Sequence, residues 1–224
     1  MGKAGLYAKI LAISLISVIA IAGALFIPAG TLDYWQAWLY MAVLFFPASF
    51  VIIYFLKNDP EFLERRMSYR EKEARQKLVQ KASAVVFLIG FILPGLDRRF
   101  GWSPVPFEYS IAADAIVFMG YLICFIVFRE NSYAGRTIQV ERGQKVISTG
   151  LYSIIRHPMY LGVLILYLAT PIALGSYVAA PVFLLMIPIL VFRIRNEEEV
   201  LRRELPGYPE YCGKVTCRLV PHVW

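Results

Sequence analysis

The sequence predicts an all-α, polytopic integral membrane protein with about six transmembrane helices. Of its 224 residues, 58% are hydrophobic and only 17% are charged, and the mean hydropathy is +0.58. A soluble domain is roughly 45–50% apolar and about 25% charged. The apolar residues also come in runs, several of them as long as a helix that crosses the hydrocarbon core. An ordinary soluble domain is therefore excluded.

Six apolar runs are predicted to be the transmembrane helices, with five as the alternative number. They are residues 6–27, 34–56, 82–96, 107–128, 158–170 and 177–192. Tight turns join the first run to the second and the fifth to the sixth, so each pair is predicted to form a hairpin. Pro94-Gly95 is expected to end the third helix. The last two runs are short. If only five helices cross the membrane, one of these two is the helix that does not.

The basic residues predict the orientation of these helices. With six spans and the N-terminus inside, every lysine and arginine except Arg98 and Arg99 falls on the cytoplasmic side. The positive-inside rule therefore favours an even number of spans with both termini in the cytoplasm, in the inner membrane if the host is bacterial. The net charge of +7 is assigned to this topology. No nucleic-acid partner is expected, because no nucleic-acid-binding motif is found.

The chain is predicted to be one integrated domain with two regions. Residues 1–128 hold the N-terminal transmembrane helices, the first of which is expected to be retained because no signal-cleavage pattern follows it. Residues 58–80 are predicted to form a cytoplasmic surface helix or two, or alternatively a solvated connector. Residues 129–224 are the predicted catalytic region, with the final hairpin and a cytoplasmic tail. Three cysteines and two histidines predict neither a disulfide framework nor a metal site.

A first polar cluster lies just before the fifth apolar run. Arg156 and His157 precede Pro158, which suits the first position of a helix, and Tyr160 falls on its first turn. Free N–H groups at a helix N-terminus favour a carboxylate or a phosphate. The alternative is that Arg156 and His157 only anchor the helix at the lipid headgroups.

A second polar cluster follows the last apolar run. Arg195 and Glu199 are four residues apart and are predicted to share a helix face, with Glu197 and Glu198 pointing elsewhere. The final hairpin must pack antiparallel, which is predicted to bring Arg195 and Glu199 beside the first cluster. The alternative is an exposed helix with ordinary ion pairs. A pocket of arginines, carboxylates and tyrosines would suit a ligand that carries a carboxylate, an ammonium, a ribose and a sulfonium, since tyrosine rings and Glu199 can stabilise a cation.

Three motifs in order resemble the isoprenylcysteine carboxyl methyltransferase family, to which phospholipid N-methyltransferases are related. They are R-H-P-M-Y at residues 156–160, R-x-x-x-E from Arg195 to Glu199, and G-Y-x-x-Y at residues 207–211. Residues 139–162 and R-L-V-P at 218–221 extend the resemblance. Residues 58–66 and 94–99 are similar to bacterial members, so a prokaryotic member is indicated.

The resemblance implies S-adenosylmethionine as the cofactor and no metal. The residues that it implies for the cofactor site are Gln139, Gln144, Lys145, Val146, Ile147, Tyr152, His157, Pro158, Met159, Tyr160 and Glu199. Residues 144–147 are expected to act through their backbone, and Gln144 stands where many relatives have histidine. Arg195 and Glu199 are the implied catalytic residues, and Arg195 is implied to hold the acceptor's carboxylate.

The predicted function is methyl transfer to a lipidic or amphipathic acceptor that enters from the bilayer, with a carboxylate such as isoprenylcysteine as the leading acceptor. Displacement at a sulfonium methyl needs orientation, and a carboxylate is already ionised at pH 7. An amine would need deprotonation, for which Glu198 and Tyr208 are candidates. The alternatives are a phospholipid or small-molecule N- or S-methyltransferase, a membrane reductase with a nicotinamide cofactor, and a transporter, for which Asp114 inside a span would count.

Overall fold

The computed structural model describes residues 3–67, 74–134, 140–141, 143–221 and 223–224. In this part of the chain the helices are α1 (Lys3–Ala29), α2 (Trp35–Asn58), α3 (Pro60–Arg66), α4 (Ala74–Phe100), α5 (Phe107–Glu130), α6 (Pro158–Ala173), α7 (Ala180–Leu184), α8 (Met186–Glu204) and α9 (Tyr208–Lys214). A short 3₁₀ helix covers Gly150–Ser153. The same residues contain no strand beyond an isolated bridge between Pro104 and Ser176. The predicted all-α class is confirmed.

Four helices in the described part of the chain, α1, α2, α4 and α5, are long and apolar enough to span a membrane. The apolar helix α6 is shorter, with 16 residues, and it is followed by α7 and α8. The six predicted apolar runs thus correspond to four full-length helices and a final, shorter hairpin. A polytopic membrane protein is the fold class that results.

Two predicted helix boundaries are wrong. Pro94-Gly95 does not end the third span, because α4 continues to Phe100. Gly95 instead lets α4 approach α1 closely, since a Cβ on Gly95 would clash with the backbone oxygen of Leu25. The sixth run is also not one helix to Phe192: it is divided into α7 and α8, and α8 extends to Glu204.

The predicted surface segment at residues 58–80 corresponds to two helices in part. The short helix α3 covers Pro60–Arg66, and α4 already begins at Ala74. Asp59 caps α3, because its side chain accepts a hydrogen bond from the Phe62 N–H at 3.0 Å. Residues 68–73 lie outside the described part of the chain.

The most extensive helix contact in the described part of the chain, between α5 and α6, is built on two glycines. A Cβ on Gly120 would lie 2.7 Å from the Gly162 backbone oxygen, and one on Gly162 would lie 2.8 Å from the Gly120 oxygen. Side chains from α1, α2, α5 and α6 form the main buried cluster next to this contact. The backbone of α5 thereby fixes the position of α6, and with it the position of the R-H-P-M-Y segment.

The bundle has two distinct ends. At the first, called the loop end, Ser103 and Ser176 both donate hydrogen bonds to the buried Asp97 carboxylate, and Arg98 donates to the Asp33 carbonyl. At the opposite, tail end, α2 and α5 finish, α6 begins, and the chain after α9 packs on its start. Lys9 donates to the Met67 carbonyl at 3.0 Å, so the start of α1 also lies there. Which end faces the cytoplasm stays a prediction.

Candidate active site

A pocket lies at the tail end, between the start of α6, the second half of α8, α9 and the segments that precede α6. Its walls are Asn131, Tyr133, Ala134, Gln144, Lys145, Val146, Ile147, Tyr152, Arg156, His157, Met159, Tyr160, Arg193, Glu197, Leu201, Leu205, Tyr208 and Tyr211. Much of the apolar wall belongs to a buried cluster that includes Leu205, Tyr208 and Tyr211, with Val146 and Leu201 packed against it. Most of the other wall residues are polar or charged.

The start of α6 is fixed by the chain that follows α9. The helix begins at Pro158, as predicted, and His157 is its N-cap residue. The backbone N–H groups of Arg156 and His157 donate to the carbonyls of Cys217 and Arg218, at 3.0 and 2.9 Å. These two bonds satisfy donors that would otherwise be left open near the helix start. The tail thus holds both side chains at the pocket wall.

Glu198 is the centre of a buried charge cluster behind the pocket. Its Oε1 accepts from Arg156 Nε at 2.6 Å and lies 3.3 Å from His157 Nε2, and its Oε2 accepts from Arg218 Nε at 3.0 Å. Burial alone would raise the pKa of Glu198, but the hydrogen bonds from His157, Arg156 and Arg218 outweigh it and hold that pKa well below its usual range. Glu198 is therefore an anion at neutral pH.

Arg156 ties this cluster to the tail. Its guanidinium donates from one terminal nitrogen to the carbonyls of Val215 and Thr216, at 2.7 and 2.8 Å, in addition to its bond with Glu198. These acceptors compensate for the burial of the Arg156 cation, because a buried charge without hydrogen-bond partners would be strongly unfavourable. Arg156 thus has a structural function besides forming the pocket wall.

A second hydrogen-bonded network of polar side chains faces the pocket from α6 and α8. The Tyr160 hydroxyl donates to Glu197 Oε2 at 2.5 Å and accepts from Arg193 Nε at 2.8 Å. Both Arg193 and Glu197 line the pocket. This network places one carboxylate and one guanidinium beside the Tyr160 hydroxyl in the pocket wall.

The predicted contact of Arg195 and Glu199 with the first cluster does not form. Both lie on the exposed side of α8, whereas Glu197 and Glu198, which were predicted to point elsewhere, meet Tyr160 and Arg156. The reason is the helix register: buried Leu190 and Ile194 define the inward side of α8, and Glu198 follows them at the same four-residue spacing. Arg193 and Glu197 have the same R-x-x-x-E spacing two residues earlier.

Most of the other residues predicted for the cofactor site do line the pocket. These are Gln144, Lys145, Val146, Ile147, Tyr152, His157, Met159 and Tyr160. Pro158 starts α6 and is not part of the wall, and Gln139 lies outside the described residues. The Gln144 side chain accepts from the Glu141 N–H at 2.9 Å and so closes a turn. The roles of all these residues stay predictions.

The two tyrosines of the G-Y-P-E-Y segment were not predicted to bind the cofactor, and Tyr208 was considered only as a group that could deprotonate an amine acceptor. Tyr211 donates to the Tyr152 carbonyl at 2.7 Å, and Asn131 donates to the Tyr152 hydroxyl at 2.9 Å. Burial raises the pKa of Tyr152 to about 12. The motif drew attention to Tyr208 and Tyr211, but only the fold of α9 against α8 brings them to the pocket.

Tyr208 is the group that most directly indicates a ligand. Its hydroxyl is buried in the pocket wall and has no hydrogen-bond partner among the described residues. Burial raises the pKa of Tyr208, and the charge of Glu198 adds to this effect, so the phenol remains protonated at neutral pH. Buried hydroxyls are normally hydrogen-bonded. A ligand with an acceptor atom would satisfy this one.

The pocket residues fit a ligand that carries both charges and aromatic surface. Arg193 and Lys145 can bind an anionic group, Glu197 can face a cationic one, and Tyr160 and Tyr208 add rings and hydroxyls. These groups are compatible with the S-adenosylmethionine that the sequence resemblance implies, with its carboxylate, ammonium, sulfonium and ribose.

Comparison with known proteins finds similarities in the region that carries most of this site. Residues 109–206 match the family model described as PEMT, phospholipid methyltransferase. The Delta(14)-sterol reductase TM7SF2 of Mus musculus is 31% identical over 152 residues, which are 54% of this chain and 36% of that protein. The chain therefore spans about a third of the length of this curated relative. The matched region, from α5 through α8, includes R-H-P-M-Y, Arg193 and Glu197, and it is similar to the phospholipid methyltransferases.

Proposed function

We propose that this protein is an integral membrane methyltransferase that uses S-adenosylmethionine and acts on a lipidic or amphipathic acceptor. The observation that carries the proposal is the pocket at the tail end, where Arg193, Glu197 and Tyr160 lie together within the region similar to phospholipid methyltransferases. The apolar helix α6 begins at this pocket, so a membrane acceptor would reach it along the final hairpin. The charge pattern favours a cytoplasmic site, in the inner membrane if the host is bacterial.

Named residues of the pocket would hold the cofactor. S-adenosylmethionine, when bound, supplies a methyl group on a positively charged sulfur. Glu197, positioned by the Tyr160 hydroxyl, would face a cationic part of the ligand. Tyr208 would donate its unpartnered hydroxyl, and residues 144–147 would contribute backbone contacts. No metal is needed for this chemistry.

A carboxylate acceptor, such as isoprenylcysteine or an analogue, makes the smallest demand on the site. It is already ionised at neutral pH, so no general base is required. Glu198 is a poor base, because three donors engage it and its pKa is held low. Arg193 lines the pocket and could hold the acceptor's negative group by charge-assisted hydrogen bonds. For the alternative acceptors, an amine of a phospholipid or a small molecule, or a thiol, Glu197 is the pocket carboxylate that could accept the proton.

Cofactor binding tests the proposal directly. Calorimetry on detergent-purified protein should show binding of S-adenosylmethionine, and Glu197→Gln should weaken it by about tenfold or more, since a charge-assisted contact is lost. Glu199→Gln, two residues further along α8, is the matched control and should bind nearly as the wild type does. Binding that is lost in Glu199→Gln and kept in Glu197→Gln would return the site to the register predicted from the sequence.

The acceptor side is tested by turnover. Arg193→Ala should lower methyl transfer from radiolabelled S-adenosylmethionine in membranes, and Arg195→Ala should change it much less. Screening carboxylate, amine and thiol acceptors in the same membranes would identify the acceptor class. The absence of any S-adenosylmethionine binding by the wild-type protein would rule out the proposed function.

A second candidate function is a membrane reductase with a nicotinamide cofactor. It is favoured by the 31% identity with the mouse Delta(14)-sterol reductase. NADPH and S-adenosylmethionine can be compared in the same calorimetric assay. Saturable binding of NADPH together with no binding of S-adenosylmethionine would select the reductase.

A further inference from the structure

Gln76, near the start of α4, is a fully buried polar side chain that contacts the pocket residue Arg193 from the N-terminal half of the chain. Its exposed fraction is 0%, and its Oε1 accepts from a terminal nitrogen of Arg193 at 2.8 Å. Arg193 is also bound through Nε to the Tyr160 hydroxyl. Among the described residues, the guanidinium of Arg193 is therefore held by hydrogen bonds to α6 and to α4.

The orientation of the Gln76 amide is dictated by Arg193. A guanidinium only donates hydrogen bonds, so the amide oxygen must face it. The amide nitrogen is left buried with no partner among the described residues, which is unfavourable. An apolar side chain of similar length would avoid that penalty. The favourable contribution of Gln76 is therefore its contact with Arg193.

We infer that Gln76 is a positioning residue that fixes Arg193 at the pocket and thereby sets its preference for an anionic acceptor; this inference rests on the proposed function. The two bonds to Arg193 fix the plane of its guanidinium, as recognition of a carboxylate requires. The Gln76 oxygen is neutral, so it holds Arg193 without adding a negative charge at that point. A carboxylate in its place would attract the guanidinium and compete with an anionic ligand.

Gln76 also lies outside the region that matches the phospholipid methyltransferases, which begins at residue 109. The contact between α4 and α8 that it makes joins the N-terminal helices to the site. Selection of the acceptor would thus depend on a helix that the matched family region does not contain.

Two substitutions separate positioning from plain structural support. Gln76→Glu keeps the shape and adds a charge, whereas Gln76→Met removes the polar amide and keeps the length. Gln80→Glu adds the same charge at an exposed position one turn later on α4 and serves as the control. The probes are S-farnesylcysteine, which has a free carboxylate, and its carboxamide, both added to detergent-purified full-length protein with S-adenosylmethionine present.

The wild type should bind S-farnesylcysteine more tightly than its carboxamide. Gln76→Glu should weaken binding of the carboxylate probe by about tenfold or more, because a charge-assisted contact with Arg193 is lost, and should leave the carboxamide within about threefold. Gln76→Met should also weaken binding of the carboxylate probe, because Arg193 loses its contact with α4, and should leave the carboxamide within about threefold. Gln80→Glu should match the wild type with both probes.

Several results would overturn the inference. For the wild type, these are equal binding of the two probes or no binding of either. For the variants, they are unchanged binding of the carboxylate probe by Gln76→Glu, or a Gln76→Met protein that loses stability but binds the carboxylate probe as the wild type does. Failure of the proposed function has a different signature, which is no binding of S-adenosylmethionine by the wild type. A protein that binds S-adenosylmethionine but does not prefer the carboxylate probe therefore refutes only the role of Gln76.

Discussion

Replacing Glu198 with glutamine should strongly destabilise the protein, because the change removes the negative charge from a buried cluster. Glu198 is only 3% exposed and accepts from Arg156 and Arg218, with His157 also within reach. The glutamine oxygen can still accept from Arg156. Its NH₂ group would then face the Arg218 donor, so one hydrogen bond becomes a donor–donor contact.

The size of the effect follows from burial. Removing one partner of a buried ion pair destabilises a protein by about 3–5 kcal/mol. The value here should be near 3 kcal/mol, because Arg156 keeps its bonds to the carbonyls of Val215 and Thr216. For a chain of this length, 1 kcal/mol corresponds to about 2–4 °C in the unfolding temperature. The expected loss is therefore about 6–12 °C.

The measurement is heat-induced unfolding of detergent-purified protein. Glu204→Gln is the matched control on the same helix, since Glu204 pairs with exposed Arg203 and such surface pairs contribute about 0–1 kcal/mol. An unfolding temperature of Glu198→Gln within about 2 °C of this control would refute the reasoning, because the charges would not then be coupled as the structure places them.

The pH dependence gives a second, independent readout on Glu198. Its pKa is lowered in the folded protein, so its contribution to stability is present above the ordinary value of 4.5 and is lost as the pH falls below that value. The stability difference between the wild type and Glu198→Gln should shrink as the pH falls below about 4.5. A difference that grows below that pH would contradict this assignment.

Two further substitutions test the pocket and the helix contact that positions it. Tyr208→Phe should leave the unliganded protein at least as stable as the wild type, because it removes a buried hydroxyl that has no partner among the described residues. It should weaken binding of S-adenosylmethionine by about three- to tenfold. Tyr211→Phe is the control and should instead lower stability, because it loses a hydrogen bond to the Tyr152 carbonyl. A destabilised Tyr208→Phe with unchanged affinity would be inconsistent with a ligand contact. Gly162→Ala should destabilise the protein by about 1–3 kcal/mol, because the added methyl group would clash with the Gly120 backbone oxygen. Gly23→Ala is the control and should be neutral in the same thermal assay, because the nearest atom to its added methyl would be 3.7 Å away.

The transmembrane class could be predicted because it depends on local composition. A run of apolar residues is excluded from water wherever the rest of the chain lies, so the helices of the bundle were expected in the correct order. Boundaries were less predictable. Gly95 follows a proline and resembles a helix stop, but it serves close packing of α4 on α1, a contact between residues far apart in sequence.

The candidate site was predictable in part for the same reason. R-H-P-M-Y was expected at the start of α6 because proline has a local preference for the first position of a helix. The partners of that segment on α8 were assigned to the wrong register, as two pairs with the same spacing overlap there. The buried positions Leu190 and Ile194 could have indicated the inward side, had it been clear that the helix continues past Phe192 without a change of register.

The sequence by itself determined the apolar helices, the segregation of basic residues and the motifs that carry the chemistry, because each depends on residue type and short-range spacing. The tertiary structure decided which carboxylates and arginines meet. Glu197 and Arg193 join Tyr160, and Glu198 pairs with Arg156, only because α8 packs one side against α6. Gln76 and Tyr208 reach the same region from opposite parts of the chain. Such contacts depend on the free energy of packing several helices together, which no local pattern contains.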